Sequence, residues 1–422
     1  MNFSFYIARR SALRSRRTDG RKASRSPAVG VAVTAVALSL CVMLCAVAVV
    51  QGFKQQITNK IAGFNAHLQI YRLVEDNSDP EADNLLTLTP TLRSILDSEP
   101  YVAGYEMELN MPVILKTPQD FKGIYIKGTD GSDIRSFLGS QLTAGKMPDF
   151  SLPSTAYDLA LSQKMADDLG LKVGDSIPAF FMNDELRAQK YRVAATYSTH
   201  FEQFDDLIAL GNIAPLREMA NIGQGQGVNI RVVTTDFDLA DEYADRLRKR
   251  LNSAYTSGEV AIPYRVESVT DRSAAYFSWL SLLDTNVTVI LTLMTIVACI
   301  TLIAAMLILI LDKVRLIGIL RALGATRRKV CNVFVFMALR IALLGIIIGN
   351  GIGLLILFLQ QKYHFLPLDA DSYYIDYVPV QMNVESIIIL NVAVTAVVFL
   401  ALLLPATVAG RISPAESMRY QD

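Results

Sequence analysis

TNVTVILTLMTIVACITLIAAMLILIL, residues 285–311, runs for 27 residues without a charged side chain. At a rise of about 1.5 Å per residue this stretch reaches roughly 40 Å as a helix, more than the roughly 30 Å of a bilayer's hydrocarbon core. Three further stretches behave alike: Pro27 to Val50 (24 residues), Ile341 to Gln361 (21 residues) and Ser386 to Gly410 (25 residues) carry no charge. Core helices of soluble proteins average about 10–14 residues. Four membrane-spanning helices are therefore expected, and they explain why only 19% of the 422 residues are charged where a soluble chain has about 25%. A cleaved signal peptide is the alternative for the first stretch, with Ala46-Val47-Ala48 as a small-residue cleavage site. Its apolar run exceeds the 7–15 residues usual for such peptides, and three more spans follow.

The formal net charge is zero, with 40 Lys plus Arg against 40 Asp plus Glu, but the charges are unevenly placed. Residues 1–26 hold eight basic residues and one acid, and 312–330 hold six basic residues and one acid. The segment 362–385 has one Lys against Asp369, Asp371, Asp376 and Glu385, and 51–275 has 22 basic and 31 acidic residues. Lys and Arg are retained on the cytoplasmic side, so both termini and the 312–330 loop are expected inside. The zero sum alone does not exclude nucleic acid, which is nonetheless not among the expected partners.

The expected division is a cytoplasmic interfacial segment (1–26), first span (27–50), periplasmic domain (51–275), second span (276–311), cytoplasmic loop (312–330), third span (331–361), periplasmic loop (362–385), fourth span (386–410) and cytoplasmic tail (411–422). The fold class is an α-helical membrane protein with four transmembrane helices and a mixed α+β extracytoplasmic domain between the first and second. Phe3, Phe5, Tyr6 and Ile7, ahead of the arginines, suit an interfacial helix over residues 1–17. All four cysteines (Cys41, Cys45, Cys299, Cys331) lie in or beside spans, so no disulfide framework supports the outer domain.

Within that domain the patterning predicts strands at Ala66–Arg72, Tyr101–Leu109, Met111–Thr117, Gly123–Gly128, Tyr191–Tyr197 and Val228–Thr234, with Pro112 and Pro118 as punctuation. Helices are predicted over Leu161–Leu169, capped by Ser162 and stopped at Gly170, near Ile213–Ala220, and over Leu239–Leu251. The polar Asn77–Asn84 reads as a surface loop, and Gly223–Gly227 as a flexible loop without the Lys-Ser or Lys-Thr that a phosphate loop needs. His67, His200 and His364 are too isolated to build a metal site. Glu202, Asp205 and Asp206 cluster near His200, but acidic clusters on an exported surface are ordinarily solvated. No catalytic site is identified.

The spans hold almost no charge for ion coupling; Arg340 sits near enough to the inner face to snorkel. Energy must then come from elsewhere. Gly345, Gly349 and Gly353, at four-residue spacing in the third span, and Ala28, Ala32, Ala35 and Ser39 in the first are small-residue stripes that suit close helix packing, within one subunit or between two. The 312–330 segment has helical periodicity, with Leu316, Ile319, Leu320 and Leu323 on one apolar face and a stop at Gly324. Such a helix suits either the membrane surface or a partner's groove.

At these residues the chain resembles the FtsX-like permeases of ABC transporters. The run Ile317-Gly318-Ile319-Leu320-Arg321-Ala322-Leu323-Gly324-Ala325 is similar to that family's coupling helix, which sits against the ATP-binding subunit. Ile412-Ser413-Pro414-Ala415-Glu416-Ser417-Met418-Arg419-Tyr420 is similar to its C-terminal ending, with Ser417 and Met418 departing from the usual residues. Phe64–Ile70, Leu169–Asp175 and Phe204-Asp205-Asp206 also look familial. Four spans, about 225 outer residues and no fused ATPase are similar to the lipoprotein-releasing (Lol-type) permeases. The resemblance implies a non-catalytic subunit of the bacterial inner membrane, with no cofactor of its own. ATP and Mg are then held by a partner ATP-binding subunit, and the other partners implied are a second permease copy or paralogue, membrane lipids, and a lipoprotein cargo or periplasmic carrier. It places docking on Arg315, Ile317, Gly318, Leu320, Arg321, Leu323, Gly324 and Ala325. An efflux permease with a periplasmic adaptor, and a membrane-anchored receptor, are the alternatives.

Overall fold

The computed structural model describes residues 27–73, 85–130, 133–182, 186–369 and 373–409. The segment expected at the membrane surface (1–17), the Asn77–Asn84 loop and the C-terminal motif from Ile412 lie outside them, as does the side chain of Ala28. The chain forms two compact units. Of the described residues, a membrane unit takes 27–54, Leu280–Pro367 and 377–409; an outer unit takes those within Gln55–Trp279 and Leu368–Asp376.

Helix α1 spans Pro27–Asn65. The uncharged run ends at Val50, yet the helix continues because Ile57, Ile61 and Phe64 recur at helical spacing and are fully buried. It stops where Ala66 adopts a left-handed φ of 57°, so the strand expected from Ala66 starts two residues later, as β1 (Leu68–Arg72).

The outer unit then runs β2 (Leu86–Thr87), α2 (Pro90–Ser98), β3 (Val102–Lys116), β4 (Phe121–Thr129), α3 (Asp133–Gly139), β5 (Leu142–Gly145), β6 (Asp158–Ser162), α4 (Gln163–Asp168), β7 (Ser176–Met182), β8 (Leu186–Tyr197), α5 (Glu202–Asp205), β9 (Ile208–Asn212) and α6 (Ile213–Ala220). It closes with β10 (Gln226–Gly227), β11 (Asn229–Thr234), α7 (Ala240–Thr256), β12 (Tyr264–Ser268) and α8 (Val269–Arg272). Local chemistry sets these limits. Thr89, Ser162 and Asn212 cap α2, α4 and α6 by accepting from the backbone N–H of Leu92, Met165 and Ala214. Gly170 ends α4 at a φ of 63°, with Leu171 N–H returning to Ala166 O at 2.8 Å. The predicted helix at Leu161–Leu169 is thus shorter, because Leu161 and Ser162 belong to β6.

The described strands form a mixed sheet in the order β12-β1-β11-β3-β4-β9-β6-β8-β5, with β7 pairing β3 and β8. Only β4–β9 and β6–β8 are parallel. The two strands expected on either side of Asn110 are one, β3, with Pro112 inside it. Pro112 faces Tyr125, whose own N–H donates to Leu207 O at 2.7 Å. The proline sits between the β11 and β7 registers, so it removes no ladder bond. β2 and β10 form a separate two-stranded ladder, so the end of the expected Gly223–Gly227 loop is ordered. A Cβ on Gly227 would lie 2.6 Å from Met107 Cγ.

The main core covers one sheet face and gathers Leu109, Met111, Val113 and Leu115 of β3 with Leu247 and Leu251 of α7 and Leu92 and Leu96 of α2. The face across the sheet is buried in part by a smaller core of Phe64, Ile134, Leu138, Tyr197 and Leu210.

The membrane unit comprises most of α1 with α9 (Ala274–Asp312), α10 (Val314–Ala322), α11 (Arg327–Tyr363) and α12 (Val384–Ala409). Four of these are long and apolar enough to cross a membrane. The spans of α1 and α11 are each 39% buried against 17% for α12, so α1 and α11 form the centre. Their contact is the glycine stripe. A Cβ on Gly345 would stand 2.7 Å from Val36 Cβ, one on Gly349 2.6 Å from Ala37 O, and one on Gly353 3.2 Å from Leu44 Cδ1. Ala32 is fully buried in the same layer. The stripe therefore serves packing within one subunit. Leu at position 349 would force the two backbones apart; Gly349→Leu is expected to destabilise the helix bundle by about 1–3 kcal/mol, lowering the melting temperature in detergent. Gly351→Leu, which meets open space, should leave it unchanged.

Candidate functional site

Two places gather polar or exposed chemistry. The first is α10, the short helix between α9 and α11. Lys313 breaks the preceding helix, and α10 ends in a Schellman motif: Gly324, at φ 86°, donates its N–H to Arg321 O, and Ala325 donates to Leu320 O, both at 3.0 Å. The motif reverses the chain within two residues, and α11 begins at once with Arg327, Arg328 and Lys329.

The helix divides its apolar residues between two directions. Ile317 is fully buried and Leu320 nearly so, inside the membrane unit's core with Val330 and Phe334; Leu316 and Ala325 are partly buried against it. Ile319 is 51% exposed and Leu323 79%. Ala322, Gly324, Thr326, Arg327, Arg328 and Lys329 are exposed as well, and Gly318 and Arg321 are intermediate. Arg315 lies on the helix, its side chain outside the described atoms. Among the residues singled out for docking, Leu323 and Gly324 are thus free to meet a partner, whereas Ile317 and Leu320 are committed to the subunit's own core. Ile319 joins the exposed group.

Sequence reasoning missed a polar contact in the same unit. Asn350 of α11 donates to Asn391 Oδ1 of α12 at 2.7 Å, and Asn391 returns a bond to Asn350 Oδ1 at 3.1 Å. Each also donates to its own helix's i−4 carbonyl, Ile346 and Ile387. Reciprocal amides between two otherwise apolar helices fix their rotation, for about 1 kcal/mol.

The second place is the polar sheet face beneath the end of α1. Arg231 is completely buried. Its guanidinium donates to Phe64 O at 2.5 Å and Gly63 O at 3.2 Å. It lies 3.0 Å from Glu106, 3.3 Å from Glu108 and 3.1 Å from Asp133. Lys127 donates to Phe64 O at 3.0 Å and pairs with Glu108 at 3.0 Å, and Gln69 donates to Asn65 O at 2.6 Å. The free carbonyls of the last helical turn thus receive two cations and an amide in place of water. Register brings the groups together: Gln69, Arg231 and Glu106 stand opposite one another on β1, β11 and β3.

Burial opposes charge throughout this cluster. It would raise the Glu108 carboxyl, but Lys127 and Arg231 together bring it down to about 2. Lys127 is lowered to about 8, because desolvation outweighs its bond to Glu108. Glu106 is raised by burial despite Arg231 beside it. The signal in sequence was Glu106-Met107-Glu108, two carboxylates on one face of a strand, and Arg231 between Ile230 and Val232 in another.

The acidic cluster near His200 is not uniformly solvated as expected. Asp205 is buried and accepts from Thr199 N, Thr199 Oγ1 and His200 N at 3.0, 2.7 and 3.1 Å; burial raises its carboxyl. Glu202 and Asp206 pair with Lys164 at 2.7 and 3.0 Å. His67 accepts the N–H of Thr234 on Nδ1 at 3.1 Å, and burial lowers its imidazole. His364 caps α11 in a left-handed conformation. No group of three His, Cys, Asp or Glu residues that could hold a metal occurs among the described residues.

The MacB-like periplasmic core domain matches residues 29–250, over half of the chain, and the FtsX-like permease C-terminal domain matches 288–414. The chain belongs to the FtsX-like permeases with a MacB-like core. It is 25% identical to the lipoprotein-releasing system transmembrane protein LolC of Xylella fastidiosa (strain Temecula1), across 97% of this chain and 97% of that one. It is 24% identical to the LolC of Neisseria meningitidis serogroup B, across 97% and 98%. The solved periplasmic region of MacB from Actinobacillus actinomycetemcomitans aligns at 12% identity over 51% of this chain and 95% of that one, with a TM-score of 0.36. As an FtsX-like permease the chain is a non-catalytic, multi-pass subunit of a bacterial inner-membrane ABC transporter.

The pH sign of the buried cluster is testable. Glu108 has its folded pKa depressed, so its contribution is present above the unfolded value of about 4.3 and is lost as pH falls towards about 2. The outer unit should lose roughly 3 kcal/mol of stability through this group over that interval. Thermal unfolding of the full chain between pH 5 and pH 3 should show a shallower pH slope in Glu108→Gln than in the parent.

Proposed function

We propose that this chain is the permease subunit of a lipoprotein-releasing ABC transporter. The reading is carried by the correspondence with LolC proteins along nearly the whole length of both chains. The FtsX-like C-terminal match, which takes in α10, supports the same reading. A separate subunit binds ATP and Mg and docks on the cytoplasmic loop between the second and third spans. Both termini lie on that side, following the excess of Lys and Arg in residues 1–26 and 312–330. The permease works as a pair, with a second copy or a paralogue, and ATP-driven closure of the partner subunits is transmitted through the spans to the outer units. These then pass a lipoprotein from the membrane to a periplasmic carrier. This is coupling through rigid helices, with no transport pore required.

Ile319 and Leu323, four residues apart on one helical face, form the docking knob; Arg327 and Arg328 border it with charge suited to an acidic rim on the ATP-binding subunit. Ile317 and Leu320 anchor the other side of α10 into the subunit, so that a push on the knob moves the ends of α9 and α11.

Ile319→Asp combined with Leu323→Asp should abolish co-purification of the ATP-binding subunit, or lower permease-stimulated ATP hydrolysis by about tenfold or more. Membrane insertion and melting temperature should be unchanged, because neither side chain is part of the core. Intact stimulation in the double variant would exclude this face. Leu320→Asp is a poorer probe, since it buries a carboxylate in the helix bundle.

A further inference from the structure

The loop between α11 and α12 gives Leu368–Asp376 to the outer unit, and two of its residues, Tyr374 and Asp376, meet the chain there in a specific way. Lys60, on α1, donates to two carbonyls from distant segments, Thr199 at 2.7 Å and Tyr374 at 2.6 Å. The ring of Tyr374 stacks on Phe201, with centroids 4.6 Å apart and planes at 19°. His200 Nε2 lies 3.2 Å from Asp376 Oδ2. Thr199–Phe201 and Tyr374–Asp376 therefore meet through the Phe201–Tyr374 and His200–Asp376 pairs, with one ammonium shared between their backbones.

Both sides cross this junction in a conformation that a side chain with a Cβ disfavours. His200 has φ 56° and Tyr374 φ 61°. On the first side the turn is held by Asp205, which accepts from Thr199 N and His200 N. On the other, Tyr374 has Lys60 on its carbonyl and Phe201 on its ring. The Tyr374 conformation is thus sustained by the contact, which is buried at Phe201 and Ile375 and open at its polar end, where the His200 and Asp376 side chains are 31% and 61% exposed. Left-handed non-glycine residues on both sides of a contact whose polar end faces solvent describe a clasp that can open.

We propose that Lys60 is a positioning residue for lipoprotein release, closing a clasp between Thr199–Phe201 and Tyr374–Asp376 in the resting transporter that ATP-driven work opens. Removing Lys60 frees both carbonyls at once, so this residue controls the clasp more than either partner segment does. The inference rests on the release function proposed above and names a movement within it.

The test uses the whole transporter in proteoliposomes loaded with a triacylated lipoprotein, in a permease whose four native cysteines are replaced by alanine. His200→Cys and Asp376→Cys are bridged by a short, reducible thiol cross-linker. The cross-link should form readily without nucleotide and fall by about fivefold or more when the ATP-binding subunits are trapped with ATP and vanadate. Equal yields in the two states overturn the clasp, whatever the cargo. The bridged transporter should release about tenfold less lipoprotein at nearly unchanged ATP hydrolysis, with recovery on reduction; release at the unbridged rate overturns the positioning role. Lys60→Met should raise the ATP consumed per lipoprotein released by about fivefold, and Lys60→Arg should restore it. If the unmodified permease releases no lipoprotein while the cross-link still responds to nucleotide, the release function is overturned and the clasp is supported.

Discussion

Arg231 holds the end of the first membrane helix, and the outer unit is organised around that contact. A helix that ends inside a protein leaves carbonyls which water cannot reach, and each left unmet costs about 1–3 kcal/mol. Here Gly63, Phe64 and Asn65 present theirs to Arg231, Lys127 and Gln69. Two buried cations cannot be held for that purpose alone. Glu106 and Glu108 on β3 and Asp133 on α3 neutralise them, and those carboxylates must be placed by strands in fixed register. The chain of requirement runs from a helix end to two cations, from the cations to three acids, and from the acids to the pairing of β1, β11, β3 and β4. A buried network of this kind is weak as a source of net stability but severe towards the loss of any one member, at roughly 3–5 kcal/mol. What it provides is a single defined way of seating the last turn of α1 on the sheet.

A different economy operates in the membrane unit. Lipid tails are as apolar as leucine, so burial of leucine gives little preference for one helix over another, and close approach must supply it. Gly345, Gly349 and Gly353 bring the α11 backbone onto α1 near Val36, Ala37 and Cys41, and the Asn350–Asn391 pair sets the rotation of α12. The same glycines left open, in sequence, whether they face a sister helix or a second subunit. Spacing specifies a smooth surface without naming its partner.

Much of the architecture was legible for the same reason that this detail was not. Charge-free runs reveal spans because the bilayer tolerates no alternative, and Ser162, Gly170 and Gly324 mark helix limits through purely local chemistry. The extension of α1 past Val50 was missed by counting charges, since Lys54 and Lys60 interrupt the run while Ile57, Ile61 and Phe64 keep its period. The break expected at Asn110 is absent because Pro112 beside it removes no ladder bond, and the sequence does not show which side of a strand lacks a partner. Arg231 looked like one of many external charges; its burial follows from register, which arises only once β1, β11 and β3 lie side by side. Asp205 was hidden likewise, because a carboxylate that closes a turn on two backbone N–H groups resembles a solvated one until the turn exists.

The short helix α10 shows how a single periodic pattern can encode two surfaces. Leu316, Ile319, Leu320 and Leu323 satisfy one helical stripe, yet a stripe of four large residues is wider than one contact needs. Packing divides it: Leu320, with Ile317 beside the stripe, turns into the bundle, Leu316 is partly covered, and Ile319 and Leu323 are left outside. Gly324 decides the division. Its left-handed φ lets the chain reverse within two residues, so α11 rises immediately and covers one side of α10 through Val330 and Phe334, leaving the other side bare. A residue with a Cβ at position 324 would resist that turn and shift the start of α11, and the bare face would shift with it. In the reading proposed for this chain, the glycine that ends the helix therefore aims the docking knob without touching the subunit that docks there.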